Sequence, residues 1–286
     1  MNEVRDLDRR LLTLFPVRLL KEKFNSNKKY NDLYLNILNS NSSSVITDFA
    51  IANLQNTKRH IFVYKFKKNI DIGKLDFNNF PYIIIENIIV DEIIKITITP
   101  IVNFNITLSN PLGEETLDFK QPFVILINKS HIVFYATILE KNMNAQVDKR
   151  RSVLKVEKKN DEDVVIESIC KYFRSFSPYC CDLNKGIKFL WNNDVIDSKY
   201  ASWKKSKSTT TETMDEDYTL KSQYPDAFKD LMNSPLKKTV FKYLLKDEDF
   251  PDHFTIEPSV GKISFPLYPK NEKQSKNVVT KIISNN

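Results

Sequence analysis

The chain has 286 residues, enough for one large domain or two ordinary ones, and its 41% apolar and 28% charged residues place it with folded proteins rather than disordered ones. The formal net charge of +7 is uneven, since residues 1–75 hold 14 Lys and Arg against 7 Asp and Glu while residues 76–140 hold 3 against 8. Only 4 glycines occur, and Gly73, Gly113, Gly186 and Gly261 each stand alone, which excludes the closely spaced glycines of a P-loop or a dinucleotide fingerprint.

Val4, Leu7, Leu11 and Leu14 recur at helical spacing with Arg5, Arg9 and Arg10 elsewhere around the axis, so residues 2–14 read as an amphipathic helix. Pro16 should interrupt it, and Val17–Phe24 continues as a second helical piece before a loop at Asn25–Lys29. Leu33–Leu38 fits a strand or a helix equally, and Asn39–Ser44 reads as a polar loop. From Val45 onward β-branched and aromatic residues dominate, and Val45–Ala52, His60–Phe66 and Tyr82–Val90 read as strands. Over residues 94–108, Ile94, Ile96, Ile98, Val102, Phe104, Ile106 and Leu108 share one parity, the pattern of an antiparallel strand with one dry face, and Pro100 implies a bend midway. Phe123–Ile127 and Ile132–Leu139 flank a turn at Asn128–His131 and predict a hairpin.

Residues 141–151 look like a linker, followed by a strand at Ser152–Glu157 and a helix at about Glu162–Phe176 that Pro178 ends. Residues 204–217 hold one apolar residue and no period, so a disordered loop is expected there. Pro225 starts a helix, and Ser234-Pro235 is a cap-and-first-residue pair for another through Leu236, Val240, Phe241 and Leu244. Phe254–Glu257 and Lys262–Leu267 make a closing hairpin around Pro258–Gly261. The expected class is therefore α+β: a mainly antiparallel sheet with an N-terminal amphipathic helix and several C-terminal helices. Its expected domains are residues 1–145, helix plus β domain, and 150–286, a mixed α/β domain.

The side chains with chemistry do not assemble into a catalytic signature. His60, His131 and His253 lie in separate segments without ligand-like neighbours, no serine sits in a Gly-x-Ser-x-Gly elbow, and the acidic clusters lie in polar surroundings that leave carboxylates ordinary. No metal, cofactor or enzyme activity is expected. Cys170, Cys180 and Cys181 are sparse and odd in number, which fits a reducing compartment. Residues 1–6 alternate charge, unlike a signal peptide, and no apolar run reaches the roughly 18 residues that span a bilayer. A nuclear or cytoplasmic protein without a membrane partner is expected, with the nucleus preferred.

Two surfaces could bind a partner. Phe62, Tyr64 and Phe66 interleave with Lys58, Arg59, Lys65, Lys67 and Lys68, a pattern that stacks bases and follows phosphates but also describes a half-buried strand; Lys149-Arg150-Arg151 adds a second basic run. The Val4, Leu7, Leu11 and Leu14 stripe could dock on another protein or on this chain's own sheet. The leading expectation is a non-catalytic subunit of a nuclear, eukaryotic multiprotein assembly whose partners are other protein subunits. Direct binding of DNA or RNA by the basic N-terminal half is the alternative, and an enzyme with an unfamiliar site the third.

Overall fold

The computed structural model describes residues 3–109, 112–139, 152–158, 162–205, 208–213, 218–244, 248–271 and 273–286. Helices and a mostly antiparallel sheet occur in comparable amounts, the expected α+β class. Where the sequence predicts one cut near residue 145–150, the chain forms two compact units interleaved along its length. Unit 1 takes residues 1–57, 71–129 and 136–177; unit 2 takes 58–70, 130–135 and 178–286.

Unit 1 begins with four helices: α1 (Glu3–Leu12), α2 (Val17–Lys23), α3 (Tyr30–Ser40) and α4 (Ser43–Ala52). The fourth corrects the strand expected at Val45–Ala52. Ser42 caps it, its hydroxyl accepting from Val45 N, and a helical turn brings Ile46 and Ala50 to one buried face. Helix-disfavouring β-branched residues cost only up to about 0.7 kcal/mol each, less than burying one such side chain returns.

The strands of unit 1 are β2 (Ile84–Val90), β3 (Ile93–Ile98), β4 (Ile101–Leu108), β5 (Gly113–Lys120), β6 (Phe123–Ile127) and β8 (Val153–Lys158). The run at 94–108 keeps its parity throughout, all seven even-numbered apolar residues being buried, but at Pro100 it passes from one sheet to another. β3 pairs with β2 and β6, whereas β4 pairs with β5 and β8. Gln121, fully buried, sits at this corner, its backbone N–H donating to Pro100 O and its Nε2 to Thr137 O and to Glu162 Oε1 of helix α5 (Glu162–Tyr172). The four helices pack on the β5–β4–β8 sheet through Leu11, Leu12, Phe15, Leu33, Phe104 and Phe119, among others.

Unit 2 is a sheet in the order β11–β10–β12–β13–β14–β1–β7, with β1 at Arg59–Phe66, β7 at His131–Thr137, β10 at Ile196–Lys205, β11 at Ser208–Thr213, β12 at Leu236–Tyr243, β13 at His253–Glu257 and β14 at Lys262–Phe265. The short β9 (Pro178–Cys180) shares with β14 the same edge of β1. Two expectations are corrected here. Residues 208–213, expected in a disordered loop, form β11 and pair with β10, while 206–207 and 214–217 lie outside the described residues. The helix expected after Ser234-Pro235 is strand β12, because β10 and β13 flank it and alternation puts Thr239 and Phe241 on the dry face. Helices α6 (Asn184–Asn192), α7 (Leu220–Gln223), α8 (Pro225–Met232) and α9 (Lys273–Ser284) complete the unit. Trp191 of α6 packs edge-on against Phe241 and against Phe228 of α8, so helices cover the dry face.

Candidate functional site

The register of unit 2's sheet separates its two faces row by row. Ala201, Thr239, Ile256, Ile263 and Ile61 stand side by side across β10, β12, β13, β14 and β1, and all five are fully buried. The neighbouring row, Tyr200, Val240, Thr255, Ser264 and His60, is half-buried throughout and projects from the opposite face. On that open face, Lys238 pairs in register with Ser202, Lys262 with Phe62 and Glu257, and Lys242 with His253. The Lys262 ammonium lies 5.2 Å from the centroid of the Phe62 ring. Asp197 is in register with Lys242 but is buried, with its Oδ1 accepting from Trp191 Nε1 at 3.1 Å. Three lysines and two histidines, drawn from positions as far apart as 60 and 262, thus share one surface with the half-buried acid Glu257.

The basic strand singled out in the sequence does not stay together. Arg59 is buried on the dry-face parity with its guanidinium 5.7 Å from the Tyr135 centroid; burial lowers its pKa to about 10 and raises that of the Tyr135 hydroxyl to about 12. Lys58 lies 4.8 Å from the Tyr268 ring. Lys65 is exposed opposite Tyr179 of β9, and Lys67 and Lys68 are exposed past the end of β1. Phe62 and Phe66 are 6% and 3% exposed, too little for a base to stack on them. Lys149, Arg150 and Arg151 lie outside the described residues.

The N-terminal stripe is structural. Leu11 and Leu14 are buried in the core of unit 1 and Leu7 is half-buried, while the side chain of Val4 is outside the described set. Two of the helix's cations are also committed. Arg5 Nη1 donates to Leu38 O and Asn41 O, at the end of α3, and Arg10 Nη1 donates to Asp118 O at 2.7 Å.

A second surface escaped sequence reading. Of the 21 exposed large apolar residues among the described residues, six fall within residues 83–93: Ile83 at 86%, Ile89 at 62%, Val90 at 57%, and Ile85, Ile88 and Ile93 less so. They lie on or beside β2, which ends its sheet and, among the described residues, pairs only with β3. An apolar run of this kind normally signals a strand buried on both faces. Its exposure follows from the strand's place at the edge of the sheet, which no local pattern encodes. Glu86, the charge within the strand, is held by Lys95 at 2.6 Å and by the Thr97 hydroxyl, which keep its carboxyl below the usual range.

No group of three or more His, Cys, Asp and Glu that could hold a metal ion occurs among the described residues, nor does any helix there have the length and apolarity to cross a membrane. No protein-family model matches the chain, and no curated protein is significantly similar to it.

Proposed function

We propose that this chain is a non-catalytic subunit of an intracellular, nuclear assembly that works by binding another protein. The observation that carries the reading is the exposed apolar edge strand β2. Proteins ordinarily blunt such an edge with lysine, proline or a covering segment, because unpaired backbone groups beside apolar side chains recruit other strands. Here residues 88–90 and 93 are all Ile or Val and all exposed, and the neighbouring charge Glu86 is already neutralised. A partner strand added along β2 would satisfy the backbone and bury the isoleucines together. The intracellular setting is supported by three cysteines with no disulfide among them, and the nuclear one by the basic run at 149–151.

The test is affinity purification from the native cell of the wild-type chain beside Ile89→Lys and Ile83→Lys. These sites are exposed, so the variants should keep the wild-type thermal midpoint. Loss of one specific protein from both is the expected result. A wild-type chain that carries no protein dependent on Ile83 and Ile89 overturns the reading.

A further inference from the structure

We propose that the open face of unit 2's sheet, from β10 across to β1, binds the phosphodiester backbone of a single-stranded nucleic acid. This concerns a surface other than β2 and stands or falls independently of the partner-strand reading.

Charge complementarity comes first. Lys238, Lys242 and Lys262 stand on a face where Glu257 is half-buried and Asp197 is withdrawn beneath the surface to Trp191. Lys238 and Lys262 share one cross-sheet row two strands apart, roughly 10 Å at the usual strand spacing, and Lys238 and Lys242 lie four residues apart along β12, roughly 13 Å. Those spans cover roughly three to four nucleotides at about 3.4 Å per stacked nucleotide. Lysine ammonium groups at this spacing attract phosphates roughly three to four nucleotides apart along one strand and release their counterions.

The surface between the lysines suits bases rather than a duplex groove. His60 and Tyr200 stand at opposite ends of the half-buried central row, which puts an aromatic ring at each end of the surface, and hydroxyls of that row can donate to sugar or phosphate oxygens. A pleated face with rings and cations accepts splayed single strands, in which every base exposes a stacking surface. Reading a duplex needs a helix or a two-stranded ribbon narrow enough to enter the major groove, and the helices of unit 2 that are seen packing on this sheet lie on its other face.

The experiment is fluorescence anisotropy on the full chain with labelled oligo-dT, oligo-U, a DNA duplex of equal length and polyglutamate, at low and at physiological salt. Wild type is expected to bind oligo-dT or oligo-U more tightly than the duplex or polyglutamate. Lys238→Glu with Lys262→Glu should weaken that binding at least about tenfold and flatten the log–log salt slope by about 1.4, from about 0.7 per lost contact on a single strand. Lys229→Glu with Lys276→Glu makes the same charge change at exposed positions on α8 and α9 and should stay within about twofold of wild type. Absent binding at low salt, equal loss in both pairs, or preference for duplex or polyglutamate overturns the proposal. If circular dichroism shows the glutamate pair unfolded, the milder Lys238→Gln with Lys262→Gln replaces it. Photocrosslinking of wild type to a halogenated oligonucleotide gives an independent reading, with adducts expected on β10, β12, β14 and β1. Adducts confined to other segments overturn the assignment.

Discussion

Ser43 Oγ donates to Asp8 Oδ2 at 2.5 Å, across 35 residues of chain, while Lys120 Nζ lies 3.2 Å from the other oxygen of the same fully buried carboxylate. One side chain therefore joins α1 to the first turn of α4 and to the end of β5. Removing one member of such a set leaves its partners desolvated and unpaired, which is the costly case. Asp8→Ala is expected to lose about 2–4 kcal/mol of unfolding free energy and Ser43→Ala about 1.5–3 kcal/mol. In a double-mutant cycle by urea denaturation, the two losses should be clearly less than additive. Strict additivity would mean that the Asp8–Ser43 contact contributes nothing.

At Gly261 the backbone adopts φ +61°, the left-handed region that disfavours a side chain. A Cβ built there would sit 2.7 Å from Val63 O and 2.8 Å from Cys181 O, and Gly261 O accepts from Val63 N at the point where β14 gives way to β9 along β1. Gly261→Ala is therefore expected to cost about 2 kcal/mol or more, of which about 1–2 kcal/mol is the left-handed backbone alone. A loss below about 0.5 kcal/mol, measured by urea denaturation, would show that this junction yields easily.

Thr239 presents the opposite case. Its side chain is fully buried between Ala201 and Ile256, and Oγ1 has no hydrogen-bond partner among the described residues. A hydroxyl desolvated without compensation costs about 1–3 kcal/mol. Valine has nearly the same shape and keeps the strand preference, so Thr239→Val should raise stability by about 1 kcal/mol and raise the thermal midpoint by a few degrees for a chain of this size. A lowered midpoint would mean that the hydroxyl is satisfied in solution.

Much of this architecture is legible in the sequence wherever one period dominates. The even-numbered apolar residues of 94–108 identify a dry face without reference to any partner, and Pro100 correctly marks a break. At Leu236–Tyr243 both periods fit, because Leu236, Val240 and Phe241 share a helical face while Thr239 and Phe241 share a strand face; only pairing with β10 and β13 decides it. At Val45–Ala52 propensity points to a strand, and it is the cap that Ser42 supplies in the fold, with the burial of Ile46 and Ala50, that makes the segment a helix. The open lysine face could not be read at all. Lys238, Lys242 and Lys262 have ordinary local surroundings, and their association with His60 exists only through the registers of three strand pairs. The Leu11 and Leu14 stripe was fully visible as a stripe, but whether it met this chain's own sheet or another's was not a local property.

His131 supplies a pH test. The ring is half-buried with Nδ1 2.8 Å from Ser130 Oγ, and burial, assisted by the positive charge of Lys65, holds its pKa below 6.5. The folded state therefore favours the neutral ring more strongly than the unfolded chain does. Between the folded-state pKa and about 6.5 the unfolded chain binds more protons, so stability rises with pH in that window. This contribution is fully present above pH 6.5 and is lost as pH falls through the folded-state value. Unfolding free energy measured by urea titration should accordingly fall on acidification from pH 7.5 toward 5.5, and His131→Gln, which cannot titrate, should flatten that fall. Identical pH slopes for the two proteins would show that the ring is as readily protonated in the fold as outside it, and that neither its burial nor the neighbouring Lys65 charge reaches it in solution.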